Sequence, residues 1–268
     1  MSEERSDHIR TRIWLEEPEA DNRFATRIAY CHGYDVYGEL LGQAGWIDML
    51  FLLFRGQAPS LDQARLLEVL AVALANPGPR DPSVHAAMCG GVAGSTAAAS
   101  LMAALSVGAG RLGGAREVFD AMNIWIGFGD NHQSCVARFA DKSTNSVDIW
   151  PAAEHPPGFD PHGVATATIV RQLLDRLAGI GATPHLTWLA AHRSALEGAV
   201  GLPLAISGVA AATLVDLGFD AAEGEMLYLL LRLPGAAAHA LEQEKYGFKR
   251  FPFYRVELEN DPTKQVTQ

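Results

Sequence analysis

An all-α fold is the architecture that this sequence of 268 residues predicts. Apolar residues recur at helical spacing along most of the chain, and no convincing run of alternating apolar residues exceeds about five positions. No segment is of low complexity, and no internal repeat occurs at the periods of solenoid proteins. A nucleotide-binding α/β sheet needs strands between its helices, so the missing strand pattern argues against that class.

The N-terminal part of the chain is interpreted as irregular structure followed by helices. Residues 1–22 are polar and predict no regular element, and a first helix is expected to open within 22–30. Residues 33–59 are apolar at helical spacing, which places Trp46 and Leu50 on one buried face. We therefore expect the aromatic residues near this helix to belong to the core.

A capping box marks the start of the next helix. Ser60 is followed three residues later by Gln63, the pattern in which each side chain satisfies the backbone N–H of the other residue. The buried stripe of this helix is predicted to be Leu66, Leu67, Leu70 and Leu74. Further helical patterns cover 83–109, 114–127, 132–141, 162–179, 184–199, 203–217, 220–232 and 234–245. The Pro-rich segment 148–161 is predicted to be a loop.

Charge and cysteine content limit the partners and the compartment. The net charge of −10 repels phosphate backbones, which disfavours nucleic acid but still allows a local basic pocket. Cys31, Cys89 and Cys135 form no CxxC pair and no Cys/His metal spacing, so we expect a reducing compartment, no disulfide and no metal. The N-terminal sequence MSEERSDHIRTR is charged and lacks an apolar secretory region, which favours a cytoplasmic protein.

One uncharged stretch needs a separate interpretation. Residues 82–110 contain no Asp, Glu, Lys or Arg, and a membrane-spanning helix needs roughly 20 apolar residues. Ser, Thr and His interrupt the stretch beside many Gly and Ala residues, so we favour a small-residue helix buried between other helices and no membrane span. The uncharged helix at 92–109 is expected to form the interface of a homodimer.

Five blocks along the chain carry motifs in the order of one known family. They are GYDVYGELLGQAGWIDMLFLLFRGQAPS at 33–60, the Gly-rich turn GRLGGA within 94–119, PGFDPHG at 157–163, AISGVAAATLVDLGF at 205–219 and LRLPGAAAHALEQ at 231–243. Together they resemble the citrate synthase and citryl-CoA lyase superfamily over nearly the whole chain. The short length and the GRLGGA turn are more similar to short citryl-CoA lyases and to the lyase module of ATP citrate lyase than to full-length citrate synthases.

The resemblance implies an all-α, citrate synthase-like fold with two lobes. The large helical lobe would comprise 1–115 and 218–268, and the small helical lobe 116–217. An acyl-CoA and a carboxylic acid would meet in the cleft between the lobes, and two subunits would pack through a sandwich of antiparallel helices. The implied activity makes or breaks a C–C bond adjacent to a CoA thioester, with coenzyme A as acyl carrier.

Four positions depart from the family's catalytic pattern. Such chemistry needs a base for the proton α to the thioester, a donor for the enolate oxygen and a second donor for the oxygen of the acid. The enolate-stabilising His of the family aligns with Leu112, and its catalytic Asp aligns with Ser207. A further substrate-binding His falls near Gly90, and the loop 157–163 is shortened at the position of the fourth group.

The remaining polar residues supply the candidates for catalysis and substrate binding. Arg232 matches the family Arg that pairs with a substrate carboxylate, although a structural salt bridge is the alternative. His162 and His155 are candidates for handling the oxygen of the acid, whereas an exposed position is the alternative for His162. Ser207 is a candidate for orienting a water or a ligand oxygen, and the general base stays unassigned.

The Gly-rich turn supplies the candidates for cofactor binding. Gly113 and Gly114 are expected to form a sharp turn that brings backbone N–H groups to a ligand, and a tight corner between helices is a compatible alternative. Arg111 and Arg116 flank this turn and are candidates for binding CoA phosphates or a carboxylate. Solvation at the surface is the alternative for both arginines.

Three functional hypotheses stay open at this point. The first is a citryl-CoA lyase-like or citrate synthase-like enzyme, and the second is a catalytically degenerate protein that binds an acyl-CoA or a partner subunit. The third is altered chemistry, such as thioester hydrolysis or decarboxylation. Fold alone does not establish function, so the choice depends on the groups in the site. A carboxylate or imidazole within hydrogen-bonding reach of Ser207 would favour the hypothesis of an enzyme. Citrate synthase activity itself is expected to be absent or very weak.

Overall fold

The computed structural model describes residues 9–128, 139, 155–252 and 254–259. Helices dominate this part of the chain, which confirms the predicted fold class, and one small antiparallel sheet is added at the N-terminal end. The α-helices are α1 Trp46–Arg55, α2 Leu61–Leu74, α3 Pro82–Val92, α4 Ala97–Gly108, α5 Ala115–Phe128, α6 Thr168–Ala178, α7 Pro184–Val200, α8 Ile206–Asp216 and α9 Ala221–Tyr246. Cys135 lies outside the described residues, as does all of the helix predicted at 132–141 except residue 139.

The small sheet replaces the helix that was predicted at 22–30. Strands β1 Trp14–Pro18, β2 Thr26–Cys31 and β3 Tyr34–Asp35 pair antiparallel in the order β1-β2-β3. His32 and Gly33 both have positive φ, as the tight turns that join hairpin strands require. The prediction was wrong because β-branched and aromatic residues alternate along β2, and no apolar stripe at helical spacing is present there.

The segment 33–59 contains one helix and not the long helical run that the sequence predicted. After β3 the chain forms a π-helical turn over Val36–Leu40, and Gly42 then adopts a positive φ that ends it. Helix α1 begins only at Trp46, whose side chain is 73% exposed, whereas Phe51 is fully buried. The prediction that Trp46 belongs to the core was therefore wrong, because this residue occupies the solvated first turn of the helix.

Helix α2 has the predicted start and the predicted buried face. The Ser60 hydroxyl accepts a hydrogen bond from the N–H of Gln63 at 3.2 Å, and the Gln63 side chain accepts one from the N–H of Ser60 at 2.9 Å. All four leucines of the predicted stripe are buried in the main core. The local sequence signal and the tertiary packing agree here.

The uncharged stretch folds as two helices, α3 and α4, that are separated at 93–96. Both pack against α9, which is continuous where two helices were predicted. Pro234 lies within α9, and the N–H of the next residue, Gly235, donates to the carbonyl of Ala75 at 2.7 Å. No helix of the described residues is long and apolar enough to cross a membrane.

The main core brings α5, α8 and α9 together. Trp125 of α5 and Tyr228 of α9 are the largest of its fully buried side chains. Helix α5 packs against both α8 and α9, so the turn before α5 and the first residues of α8 lie close to each other. The division into a large and a small lobe stays a prediction.

We predict that Gly91→Ala destabilises the protein by about 1–3 kcal/mol, the usual cost of overpacking. A Cβ on Gly91 would overlap the carbonyl of Ala240 where α3 crosses α9. The matched control is Gly198→Ala in α7, where an added Cβ meets no atom within 4 Å. That control should raise stability by about 0.5–1 kcal/mol, because alanine favours the helix. Equal effects of both changes on urea unfolding would contradict the close packing of α3 on α9.

Candidate active site

The turn between α4 and α5 is built from two glycines with different constraints. Gly113 has a φ of +68°, a left-handed conformation that favours glycine. A Cβ on Gly114 would overlap the carbonyls of Gly110 and Gly108. The expected sharp turn is therefore present, and α5 begins directly after it at Ala115.

Glu117 lies in the first turn of α5 and points into the protein, where only 2% of it is exposed. Its Oε1 accepts hydrogen bonds from the N–H of Gly158 at 2.9 Å and from the hydroxyl of Ser207 at 2.7 Å. Its Oε2 accepts a hydrogen bond from the N–H of Gly113. One buried carboxylate thus joins the Gly-rich turn, the Pro-rich loop and the start of α8.

Sequence reasoning missed Glu117, although the sequence contains a signal for it. The buried stripe of α5 includes Ala121 and Trp125, which follow Glu117 at intervals of four residues. Residues at i and i+4 share one face of a helix, so this stripe carries Glu117 into the core. A single carboxylate on an apolar helix face is therefore the feature that identifies it.

Ser207 is fully buried in the first turn of α8. The resemblance places the family's catalytic Asp at this position, and Glu117 puts a carboxylate within 2.7 Å of its hydroxyl. The site therefore contains a carboxylate within hydrogen-bonding reach of the expected point, supplied by a different helix. A carboxylate offers about four acceptor sites, so three donors leave room on Glu117 for one more.

His155 lies beside this carboxylate in the Pro-rich loop. It is 8% exposed, and its Nε2 lies 3.9 Å from Oε1 of Glu117, which is too far for a hydrogen bond. Neither ring nitrogen has a hydrogen-bond partner within the described part of the chain. Buried polar groups are normally paired, so this imidazole is a candidate for contacting a ligand.

Arg232 of α9 approaches the Gly-rich turn from the side opposite Glu117. Its Nη1 donates to the carbonyl of Gly113 at 3.2 Å, and its Nη2 forms an ion pair with Oδ2 of Asp81. The Tyr228 hydroxyl also donates to Gly113 O at 3.2 Å. Burial raises the pKa of Tyr228 to about 12, although Arg232 opposes that shift, so the phenol stays protonated at neutral pH.

The structure leaves the other predicted residues nearer to the surface. His162 is exposed, and its N–H donates to Asp160 in a turn that precedes α6. Arg111 and Leu112 are exposed beside the Gly-rich turn. The guanidinium of Arg116 lies 3.9 Å from the ring centre of Phe119 and within 4 Å of carboxylates of Asp120 and Glu225.

The fold of this chain is citryl-CoA lyase-like. The structure of citryl-CoA lyase from Hydrogenobacter thermophilus is similar, with a TM-score of 0.69 and 19% sequence identity, over 97% of this chain and 99% of the other. The ATP citrate lyase of Methanothrix soehngenii, in complex with citrate and coenzyme A, gives a TM-score of 0.69 at 19% identity, over 94% of this chain and 42% of that one.

A third similar structure is the ATP citrate lyase of Methanosaeta concilii in complex with (3S)-citryl-CoA, with a TM-score of 0.67 at 17% identity, over 95% of this chain and 43% of that one. No protein-family model matches the sequence, and no curated protein matches it. At these identities the comparisons establish the fold alone. The predicted resemblance is confirmed at that level.

We predict that Glu117→Gln lowers the free energy of unfolding by about 1–3 kcal/mol, the cost of leaving buried hydrogen-bonding groups unpaired. The amide nitrogen cannot accept from the N–H of Gly113 or Gly158, so at least one of these donors loses its partner. The control is Glu68→Gln, an exposed residue of α2 paired with Arg65, which should change stability by less than about 0.5 kcal/mol. Indistinguishable denaturant midpoints for the two variants would show that Glu117 does not hold the three segments together.

Proposed function

We propose that this protein makes or breaks a C–C bond adjacent to the CoA thioester of a carboxylic acid. The observation that supports the proposal is the buried carboxylate of Glu117 at 2.7 Å from Ser207, in a fold that is citryl-CoA lyase-like. A base at this point can move the proton that such a reaction requires. The loss of an Asp at Ser207 therefore does not remove the carboxylate from the site.

In the cleavage direction, Glu117 takes the proton of a hydroxyl group on the β-carbon of the acyl chain. The bond between the α- and β-carbons breaks, and its electron pair passes into the thioester as an enolate. Glu117 then returns the proton to the α-carbon, which yields a carbonyl compound and a shorter CoA thioester. In this proposal His155 donates a hydrogen bond to the oxygen on the β-carbon, and Ser207 helps to hold the carboxylate while no substrate is bound.

Coenzyme A is the proposed acyl carrier. Two of the similar structures are complexes with coenzyme A or citryl-CoA. In this chain Arg111 and Arg116 stand at the surface beside the turn at Gly113 and Gly114, where they are candidates for the CoA phosphates. The predicted large and small lobes would then close around the acyl group, and the cytoplasmic location stays a prediction.

A catalytically inactive acyl-CoA-binding protein is the alternative function. One observation favours it, because Glu117 already accepts three hydrogen bonds inside the protein. A carboxylate offers about four acceptor sites, so these three donors leave little of Glu117 for a substrate. Measured turnover distinguishes the enzyme from the inactive binding protein, whereas binding of CoA is expected for both.

We predict that the purified protein cleaves a β-hydroxyacyl-CoA and that Glu117→Gln lowers kcat by about 10²–10⁴-fold. Affinity for free CoA, measured by calorimetry, should stay unchanged, because the proposal assigns Glu117 to the acyl group and not to the CoA moiety. Glu68→Gln is the matched control and should retain full turnover. Circular dichroism identifies any variant that fails to fold, and Ser207→Ala, which keeps the carboxylate, should lose less activity. Binding of CoA without cleavage of any hydroxyacyl-CoA would favour the inactive alternative.

We also propose that the protein is a homodimer that pairs through α4. This uncharged helix exposes Met102 and Val107, and Leu241 of α9 is exposed beside it. A cavity of about 320 Å³ between α3, α4 and α9 is open in the single protomer and is lined mostly by small residues. Such a face lets two backbones approach closely and would leave apolar surface in water in an isolated protomer.

We predict that Met102→Glu converts the dimer into a monomer near 28.8 kDa in analytical ultracentrifugation. A buried glutamate without a partner is unfavourable at an interface, whereas a solvated one is tolerated. Val72→Glu is the control, because Val72 is also an exposed apolar residue but lies on α2 and not on α4. A wild-type protein that sediments as a monomer at micromolar concentration would remove the dimer proposal.

A further inference from the structure

We infer that Asp81 neutralises Arg232 and thereby makes the site select CoA thioesters whose acyl group carries no carboxylate at the reacting carbon. This inference rests on the proposed function, since it names the substrate class of the same site. Its basis is the balance of charges around Gly113.

The charged groups around the Gly-rich turn are few within the described residues. Arg232 supplies the one buried guanidinium there, and it is 6% exposed. Asp81 and Glu117 supply two carboxylates, and His155 adds a positive charge only when it is protonated. The buried site therefore carries a net charge of −1 or 0. A ligand carboxylate would add a further negative charge to this group of side chains, in which the one buried guanidinium is already paired with Asp81.

The two terminal nitrogens of Arg232 each already have an acceptor in the protein. Its Nη1 donates to the carbonyl of Gly113, and its Nη2 is paired with Asp81. A guanidinium binds a carboxylate best through two parallel N–H groups, and both terminal nitrogens are occupied here. The place that a substrate carboxylate would take on Arg232 is filled by the protein's own aspartate.

Asp81 is also fixed from its other side. It is the N-cap residue of α3, and its Oδ1 accepts a hydrogen bond from the N–H of Ser83 at 2.9 Å. The carboxylate is therefore held between the N-terminal N–H groups of α3 and the guanidinium of Arg232. A ligand carboxylate would have to displace an anion that is already in place, and binding would then weaken.

Two pairs of thioesters isolate this effect. 3-Hydroxybutyryl-CoA and malyl-CoA differ only by a methyl or a carboxylate on the hydroxyl-bearing carbon. Cleavage of the first yields acetyl-CoA and acetaldehyde, and cleavage of the second yields acetyl-CoA and glyoxylate. Butyryl-CoA and succinyl-CoA form the corresponding pair without a hydroxyl group, so they report binding alone.

The test is the substitution Asp81→Asn. The carbonyl oxygen of asparagine can still cap α3, and the negative charge beside Arg232 is removed. We expect the wild type to bind butyryl-CoA more tightly than succinyl-CoA and to cleave 3-hydroxybutyryl-CoA faster than malyl-CoA. In the variant, the affinity for succinyl-CoA relative to butyryl-CoA should rise by at least about tenfold, which corresponds to about 1.4 kcal/mol. The rate of cleavage of malyl-CoA relative to 3-hydroxybutyryl-CoA should rise by a similar factor.

Two further variants make the test specific. Asp220→Asn alters another N-cap aspartate, on α9, which accepts from the N–H of Glu223 at 2.8 Å, and it should leave both ratios unchanged. The double variant Asp81→Asn with Arg232→Gln should return to the wild-type preference, because the gain acts through the freed guanidinium. If Asp81→Asn acted only by destabilising α3, the added Arg232→Gln change would not restore the wild-type preference.

The outcomes separate the inference from the proposed function. Tighter binding of succinyl-CoA by the wild type, or an unchanged ratio in Asp81→Asn, overturns the inference. Binding of butyryl-CoA without cleavage of 3-hydroxybutyryl-CoA overturns the proposed bond cleavage, while the shift in the binding ratio still supports the selectivity. If the protein binds neither butyryl-CoA nor succinyl-CoA, the inference and the proposed function are both overturned.

Discussion

The buried carboxylate of Glu117 needs hydrogen-bond donors, and the rest of the site is arranged around this requirement. Helix α5 buries Ala121 and Trp125, so Glu117, on the same face, must enter the core with them. An ionised carboxylate in such surroundings is unfavourable unless donors surround it. The Gly-rich turn, the Pro-rich loop and the start of α8 each supply one donor, and this requirement fixes how the three segments meet. Gly158 shows the consequence, because a Cβ there would lie 2.9 Å from the Cα of Gly208.

Gly113 connects the carboxylate of Glu117 to charged groups on other helices. The N–H of Gly113 serves Glu117, and its carbonyl receives Arg232 and Tyr228 of α9. Arg232 continues to Asp81, which caps α3. The charged groups of the site are therefore coupled to the packing of α3 on α9, where small residues such as Gly91 allow the close approach.

Sequence reasoning gave most helices correctly and missed the features that depend on distant contacts. The start of α2 could be predicted because Ser60 and Gln63 are three residues apart and carry their own signal. The hairpin of β1 and β2 was missed because its strands are short and mostly exposed. Glu117 and Ser207 are 90 residues apart, and Asp81 and Arg232 are 151 apart. Alignment by motif finds replaced residues at matching positions, but it does not show that another helix brings a carboxylate within hydrogen-bonding distance of Ser207.

Glu117 on α5 receives hydrogen bonds from two kinds of donor, which differ in how easily they can reorient. The N–H groups of Gly113 and Gly158 belong to the backbone and cannot turn away from Glu117. The hydroxyl of Ser207 can rotate, and a hydroxyl both donates and accepts hydrogen bonds. A substrate hydroxyl that takes over the place of Ser207 on Oε1 would thus meet the carboxylate directly, while the two backbone donors hold its position. In that arrangement Ser207 is the donor that a substrate hydroxyl would replace, while the N–H groups of Gly113 and Gly158 would still hold Glu117.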